Sequence, residues 1–189
     1  MTSPDGITWT YVFVYLSQAR CMTYGASKFV APGWSSSIAQ YSSDAITWTS
    51  TSLPLVTKSQ GEWISITNKG TTFCAVAGNS QTAATSTDGI TWTARTLPSA
   101  SSWVVISANS SVFVAIASAG GVGGTSPDGI TWTAQTLPSI AYQSLCWSGA
   151  KFFAVPNYSS AYATSADGVT WNYLFFPVTV YAGGVAGRI

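Results

Sequence analysis

The chain has 189 residues, 47% apolar and 14% aromatic, which is enough to fill the core of one domain. Only 7% are charged and the net charge is +1, so no basic patch exists to bind nucleic acid through its phosphates, and the composition is not that of a disordered chain. No run of about 18 apolar residues is free of Ser, Thr, Gly or Asn, so membrane insertion by a helix is not expected.

Read from the N-terminus, one motif returns five times. Residues 2–10 read T-S-P-D-G-I-T-W-T, and 42–49 read S-S-D-A-I-T-W-T. Residues 85–99 read T-S-T-D-G-I-T-W-T-A-R-T-L-P-S and 125–139 repeat this almost unchanged, while 164–171 read T-S-A-D-G-V-T-W. The aspartates are Asp5, Asp44, Asp88, Asp128 and Asp167, at steps of 39, 44, 40 and 39 residues. A second element, x-F-x-A, places Phe29, Phe73, Phe113 and Phe152 each 15 residues before the next motif Asp. Length therefore varies only between the motif and the next Phe, as it would in a β unit with variable loops.

Each unit predicts four short strands. In the last, these fall at about Tyr142–Trp147, Lys151–Val155, Ser160–Thr164 and Val169–Phe175, with a turn at Ser148-Gly149 and a loop at Pro156-Asn157. Asp-Gly before the fourth strand signals a tight hairpin turn, because primed turns need positive φ. Ile130-Thr131-Trp132-Thr133 alternates like a half-buried strand. Pro98, Pro138 and Pro177 are expected to end the fourth strands. Four strands at a period near 40 have the size of a β-propeller blade, whose faces are buried only by neighbouring blades. Five motifs predict one all-β domain spanning 1–189: a five-bladed propeller of roughly 40-residue, four-stranded blades. The first motif begins at residue 2, so the first strands of its blade are expected from elsewhere; the C-terminal segment can supply them, with roughly one strand short, which leaves a three-stranded closing blade or one completed by a neighbouring subunit. A-G-G-V-A-G at 182–187 resembles A-G-G-V-G-G at 119–124, just before a motif. The ring is therefore expected to close by pairing the two ends of the chain.

S-x-D-G-x-T-W resembles the Asp-box of sialidase-type propellers, one residue shorter between Asp and Gly. The companion G-x-K-F-x-A resembles repeats of phage tail and bacterial surface proteins. The resemblance implies a propeller with the box at the turn between third and fourth strands, supporting the scaffold away from any active site.

The motif aspartates are five of the six acidic residues, and the sixth is Glu62. An Asp opening a tight turn accepts backbone N–H bonds, so all five are expected to be structural turn residues. Trp9, Trp48, Trp92, Trp132 and Trp171, four residues later, are expected to pack over the turns or between blades. What is left is poor in catalytic chemistry. There is no His, so Ser lacks its usual base and metals their commonest ligand. Glu62 alone cannot form the carboxylate pair of a glycosidase. Arg20, Arg95 and Arg188 stand at unrelated repeat positions, unlike a sialidase arginine cluster, and Gln135 replaces Arg95 one repeat on. Gly120-Gly121-Val122-Gly123-Gly124 has no following Lys and no helix to cradle a phosphate. Cys21, Cys74 and Cys146 have no metal or disulfide spacing and read as small buried residues. The expectation is a non-enzyme with no catalytic residues, no metal and no cofactor.

The leading functional expectation is a virion structural or surface protein: a bacteriophage capsid decoration, or a tail-fibre adhesin module. The composition is that of an outward-facing protein and no signal peptide is evident, which fits a particle assembled in the cytoplasm and released by lysis. Localisation is then the virion surface or extracellular space. Partners are other virion proteins or host cell-surface glycans, with a homo-oligomer or multi-copy arrangement on a symmetric particle. The alternative is a carbohydrate-binding propeller lectin, with Trp34, Asn79 and Tyr158, in the loops after second strands, as ligand-binding residues. A sialidase-like glycosidase is the third and weakest reading.

Overall fold

The computed structural model describes residues 2–3, 5–11, 19–34, 36–56 and 62–181. Within them the chain forms four antiparallel four-stranded sheets, each a simple meander. The first holds β1 (Thr23–Gly25), β2 (Lys28–Pro32), β3 (Ile38–Ser42) and β4 (Thr49–Ser52). The second holds β5 (Trp63–Lys69), β6 (Thr72–Ala77), β7 (Ser80–Ser86) and β8 (Thr93–Ser101). The third holds β9 (Trp103–Ala108), β10 (Phe113–Ala117), β11 (Val122–Ser126) and β12 (Thr133–Thr136). The fourth holds β13 (Tyr142–Trp147), β14 (Phe152–Pro156), β15 (Tyr158–Ser165) and β16 (Asn172–Tyr181).

The invariant Phe-to-Asp spacing is a hairpin register. Phe29, Phe73, Phe113 and Phe152 lie opposite Ser42, Ser86, Ser126 and Ser165, and each Ser stands two residues before its Asp. A change of length inside this hairpin would put Phe on the wrong face, so variation is confined elsewhere. The sheets stack face to face in chain order. Val30, Ala39 and Leu53 of sheet 1 pack on Phe73, Ala75 and Ala84 of sheet 2. Cys74, Val76 and Leu97 of sheet 2 meet Trp103, Phe113 and Ala115 of sheet 3. Val114, Ile116 and Leu137 of sheet 3 meet Tyr142, Phe152 and Ala154 of sheet 4. Each core thus lies between sheets, as in a radial array of repeats. Inner strands β1, β5, β9 and β13 adjoin in that order.

Of the five four-stranded blades expected, the described residues make four sheets, and the first motif makes a Thr2–Thr10 bridge. The physical reason is that a motif carries one turn and cannot supply the other strands of a sheet. The segment expected to supply them, 182–189, lies outside the described residues, and so does the expected closure of the ring.

The fourth strands also start later than alternation suggests, at Thr93, Thr133 and Asn172. The Asp128 carboxylate captures the N–H groups of Ile130 and Thr131, which therefore cannot join a ladder, and Ile130 is exposed. Among the motif residues only Gly89, Gly129, Gly168 and the like have positive φ, not the Asp before them, so the turn is not the primed hairpin that needs both. Pro138 follows β12, but β8 runs through Pro98 and β16 through Pro177. Both are edge strands whose register shifts beside the proline, between Ser80 and Thr82 and between Ser159 and Ala161 of the partner strand. An edge bulge is where the missing N–H does no harm.

Candidate functional site

The motif turns are built alike. Asp44 Oδ1 accepts from Ile46 N at 2.8 Å, Thr47 N at 2.7 Å and Ser42 Oγ at 2.8 Å. Asp5, Asp88, Asp128 and Asp167 accept the same three donors at 2.7–3.0 Å. The motif tryptophans close the turns from above. Trp9, Trp48, Trp132 and Trp171 each donate Nε1–H to the carbonyl of the residue after Asp, while the buried Nε1 of Trp92 has no partner among the described residues. The glycines let the sheets approach. A Cβ on Gly89 would lie 2.7 Å from Val30 of the preceding sheet, and one on Gly168 would lie 2.5 Å from Val114. In sheet 1 this position is Ala45, held at φ +59°.

These hydrogen bonds favour the ionised carboxylate. The N–H groups of Thr8 and Ile7 hold Asp5 at about 2 rather than 3.8, and those of Ile46 and Thr47 do so for Asp44. At Asp88 burial is the largest influence and pushes upward, but Thr91, Ile90 and Ser86 outweigh it and leave it at about 2. Asp128 and Asp167 are lowered chiefly by Thr131 with Ile130 and by Thr170 with Val169. A carboxyl depressed on folding stabilises the fold above its unfolded value and loses that contribution as pH falls through the folded one. The melting temperature is therefore expected to hold down to about pH 4 and to fall between 3.8 and about 2, a transition that thermal melts across this range will show. Asp128→Ala is expected to cost about 1–2 kcal/mol, because the two N–H groups it frees are exposed and can turn to water. Urea unfolding reads that cost, and a loss above about 3 kcal/mol would mean the turn holds more than itself.

No group of three potential metal ligands gathers among the described residues. The three thiols are free. Burial pushes Cys21 up to about 12, and it also raises Cys74 and Cys146, so these thiols are protonated at neutral pH.

Antiparallel order fixes what lies at each end of the array. The β1–β2 type hairpins and the Asp turns share one end, and the β2–β3 type loops share the other. Trp34, Asn79 and Tyr158 all belong to the latter. Trp34 is half-buried with the Arg20 guanidinium 3.6 Å above its ring. Asn79 is exposed at φ +53° and accepts from Ser102 Oγ at 2.8 Å. Tyr158 opens β15 and is 62% exposed. Neither of the two cavities described below includes any of them.

The first cavity lies on the axis at the Asp-turn end. It has a volume of about 700 Å³ and is lined by all four inner strands. Each contributes its last positions: Tyr24 from β1, Asn68 from β5, Ala108 from β9 and Trp147 from β13. These four are equivalent, for each lies opposite the motif Phe in the ladder. Tyr24 is 55% exposed and tilts against Phe29, and Trp147 is half-buried against Phe152. Thr23 Oγ1 donates to Asn68 Oδ1 at 2.8 Å, a contact that needs Gly25, since a Cβ there would meet Asn68 Nδ2 at 2.7 Å. Thr67 and Ser107 add hydroxyls, and no charged side chain lines the space. Aromatic faces, hydroxyls and one amide around an uncharged concavity can hold a neutral polar ligand with an apolar face. Sequence reasoning missed this set because its members differ from unit to unit. A signal was available: each stands five residues before its motif Phe.

The second cavity, of about 660 Å³, lies between sheets 2 and 3 at the same end. Lys69 and Arg95 both line it. Arg95 is half-buried and donates Nε–H to Thr85 Oγ1 at 2.9 Å, so it is more than the solvated position its replacement by Gln135 suggests.

No protein-family model and no curated protein sequence matches the chain. Solved structures do. Virginiamycin B lyase from Staphylococcus aureus, in a catalytically inactive form with quinupristin, superposes with a TM-score of 0.73 at 11% identity, over 87% of this chain and 58% of the lyase. YCF48 bound to D1 peptide superposes with a TM-score of 0.67 at 19% identity, over 87% of this chain and 56% of YCF48. The GH74 enzyme of Niastella koreensis gives 0.56 at 19%, over 82% of this chain and 24% of the enzyme. The chain spans little more than half the length of the lyase and of YCF48. At these identities the likeness shows the fold: all-β, of the β-propeller type. It also corrects the expectation of a non-enzyme. That expectation took an architecture occupied by structural turns to exclude turnover, and the lyase is an enzyme on this same fold. Function must be argued from sites and not from the scaffold.

Proposed function

We propose that this chain is a recognition module of a virion surface, a capsid-decoration or tail-fibre adhesin unit, and that its axial cavity takes a neutral saccharide of a host surface glycan. One observation carries the saccharide reading. A position at which all four units differ, Tyr24, Asn68, Ala108 and Trp147, is brought from four sheets to one uncharged mouth. Sugar rings present a C–H face that stacks on aromatic side chains and an edge of hydroxyls that Asn68, Thr67 and Ser107 can bond. The virion setting is supported by the charge-poor composition, by the near-identical units at 85–99 and 125–139, and by the resemblance to phage-type G-I-T-W repeats.

The finer architecture belongs to the same proposal: Asp-box repeats in a ring of five blades, the fifth made from the Thr2–Thr10 turn and the C-terminal residues. Two apolar surfaces support it. Ile7 and Trp9 of the first motif are 84% and 57% exposed. On sheet 4, Phe153, Tyr162 and Phe176 stack in series at 6.4 and 4.4 Å, and a fifth blade would cover them. Deleting residues 182–189 is then expected to lower the melting temperature, and an unchanged melt would leave the array open.

A glycan array followed by calorimetry tests the binding reading. Tyr24→Ala, at an exposed side chain, is expected to weaken a bound neutral oligosaccharide roughly tenfold. Asn79→Gly, at the opposite end and with the positive φ preserved, is expected to leave it unchanged. Dependence on Asn79 or Tyr158 instead of Tyr24 would move the site to the other end. No glycan bound, with stoichiometric presence in purified particles, would reduce the proposal to decoration.

A further inference from the structure

The groove between sheets 2 and 3 differs from its counterparts in one respect, charge. Along the chain, Lys69 stands four residues before its motif Phe and Arg95 seven after its motif Asp. The same two positions hold Gly25 and Thr51 in unit 1 and Asn109 and Gln135 in unit 3. At these two positions charge is found only here, in a chain with only seven basic residues. Asp128 of the following motif also lines this groove.

Both cations are held by the fold, and neither forms an ion pair among the described residues. Lys69 Nζ donates to the carbonyls of Ser111 and Pro127, which ties the β5–β6 hairpin to sheet 3 and leaves one N–H. Arg95 spends only Nε, on Thr85, and its Nη groups have no partner among the described residues. Gln135 makes the matching bond to Thr125 at 2.8 Å, so scaffold needs are met by a neutral side chain and the guanidinium fork is surplus to them. Asp128 turns Oδ1 inward onto its own loop, where three donors hold it. The rest of the groove is rich in hydroxyls, among them Thr72 and Thr91.

We infer that this groove binds an oxyanion, the carboxylate or sulfate ester of an acidic saccharide, with Arg95 Nη as the bidentate donor and Lys69 as the second cation. A planar fork of N–H donors matches carboxylate and sulfate oxygens, and a preordered pair of cations loses little freedom on binding. The hydroxyl lining selects a polyhydroxylated carrier over a peptide. The site is separate from the axial cavity and needs nothing bound there.

The fold itself supplies the test variants. Arg95→Gln and Lys69→Asn install the residues that unit 3 carries at these positions; Arg95→Gln is expected to fold with unchanged melting temperature, and Lys69→Asn, which gives up two bonds to sheet 3, to fold with a slightly lowered one. Calorimetry at low and at physiological salt would compare a sulfated oligosaccharide, an oligogalacturonate, a neutral dextran oligomer and oligoglutamate. The expected result is binding of one or both acidic saccharides, weakened by roughly tenfold in at least one variant and by added salt, with no response of neutral dextran to either. Competition by inorganic sulfate would point to the sulfate ester, and preference for oligogalacturonate to the carboxylate. The inference is overturned if acidic and neutral oligomers bind alike, if both variants bind the acidic ones as tightly as the native chain, or if oligoglutamate binds best. Because Tyr24→Ala reads the axial cavity and Arg95→Gln the groove, either reading can fail without the other.

Discussion

Phe113→Ala is expected to lower the free energy of unfolding by about 3–5 kcal/mol, and Phe29→Ala by clearly less. The two residues occupy the same place in their units, opposite the Ser that opens the motif turn. Phe113 is wholly buried, between sheets 2 and 3, among Cys74, Val76, Trp103 and Ala115. Truncation there removes a large apolar surface from two sheets at once and leaves a cavity that stacked, mutually supporting sheets cannot collapse to fill. It also takes the ring from beneath Lys69, whose ammonium lies 5.4 Å from its centroid. Phe29 is only half-buried and packs on Tyr24, which is itself exposed. Urea unfolding of the four variants Phe29→Ala, Phe73→Ala, Phe113→Ala and Phe152→Ala measures this directly. Three large losses and one small one would confirm that burial between sheets, not membership in the motif, sets the energy. Four equal losses would show that Phe29 is covered as well as the others.

How much of this was legible in the chain follows from what repetition can and cannot transmit. The spacing from Phe to Asp is a β-hairpin register, and such a register tolerates no length change without reversing a face. It therefore survives in every unit and can be read without coordinates, as can the inner strand Tyr142–Trp147. Repetition misleads where a side chain overrides the backbone. Ile130-Thr131-Trp132 looks like a strand because its polarity alternates, but Asp128 has already taken two of its N–H groups. Pro98 looks like a terminator because edge position and bulge are properties of a sheet, not of a segment. Candidate sites are the hardest to see, since a binding position is one where units diverge. Tyr24, Asn68, Ala108 and Trp147 share only an offset from a Phe. Lys69 and Arg95 come from different strands of sheet 2, and the turns of sheet 3 close the space between them into a groove.

Gly121→Ala is expected to destabilise by about 3–5 kcal/mol, the largest effect of any glycine in the third unit. Two costs coincide there. Gly121 has φ +64°, a conformation that an L side chain adopts only with strain, and a Cβ on it would lie 2.3 Å from the carbonyl oxygen of Leu137. That atom is backbone and cannot rotate aside. It is also fixed, because Leu137 N–H donates to the Gly121 carbonyl at 2.7 Å and the Leu137 side chain is buried between sheets 3 and 4. Relief requires the β10–β11 turn to withdraw, breaking this hydrogen bond and lifting Leu137 from its core. The neighbouring Gly120 separates the two costs. It has φ +77°, but a Cβ there would meet nothing closer than 3.8 Å. Gly120→Ala pays only for the backbone, about 1 kcal/mol. In unit 2 the corresponding β6–β7 turn carries Asn79 at φ +53°, so left-handed backbone in this turn is bearable for a side chain with open space. Thermal melts of Gly120→Ala and Gly121→Ala side by side decide the point. A large difference would place the cost in the approach of Leu137. Equal and small losses would mean that the turn can move away freely and that Leu137 is not held by it.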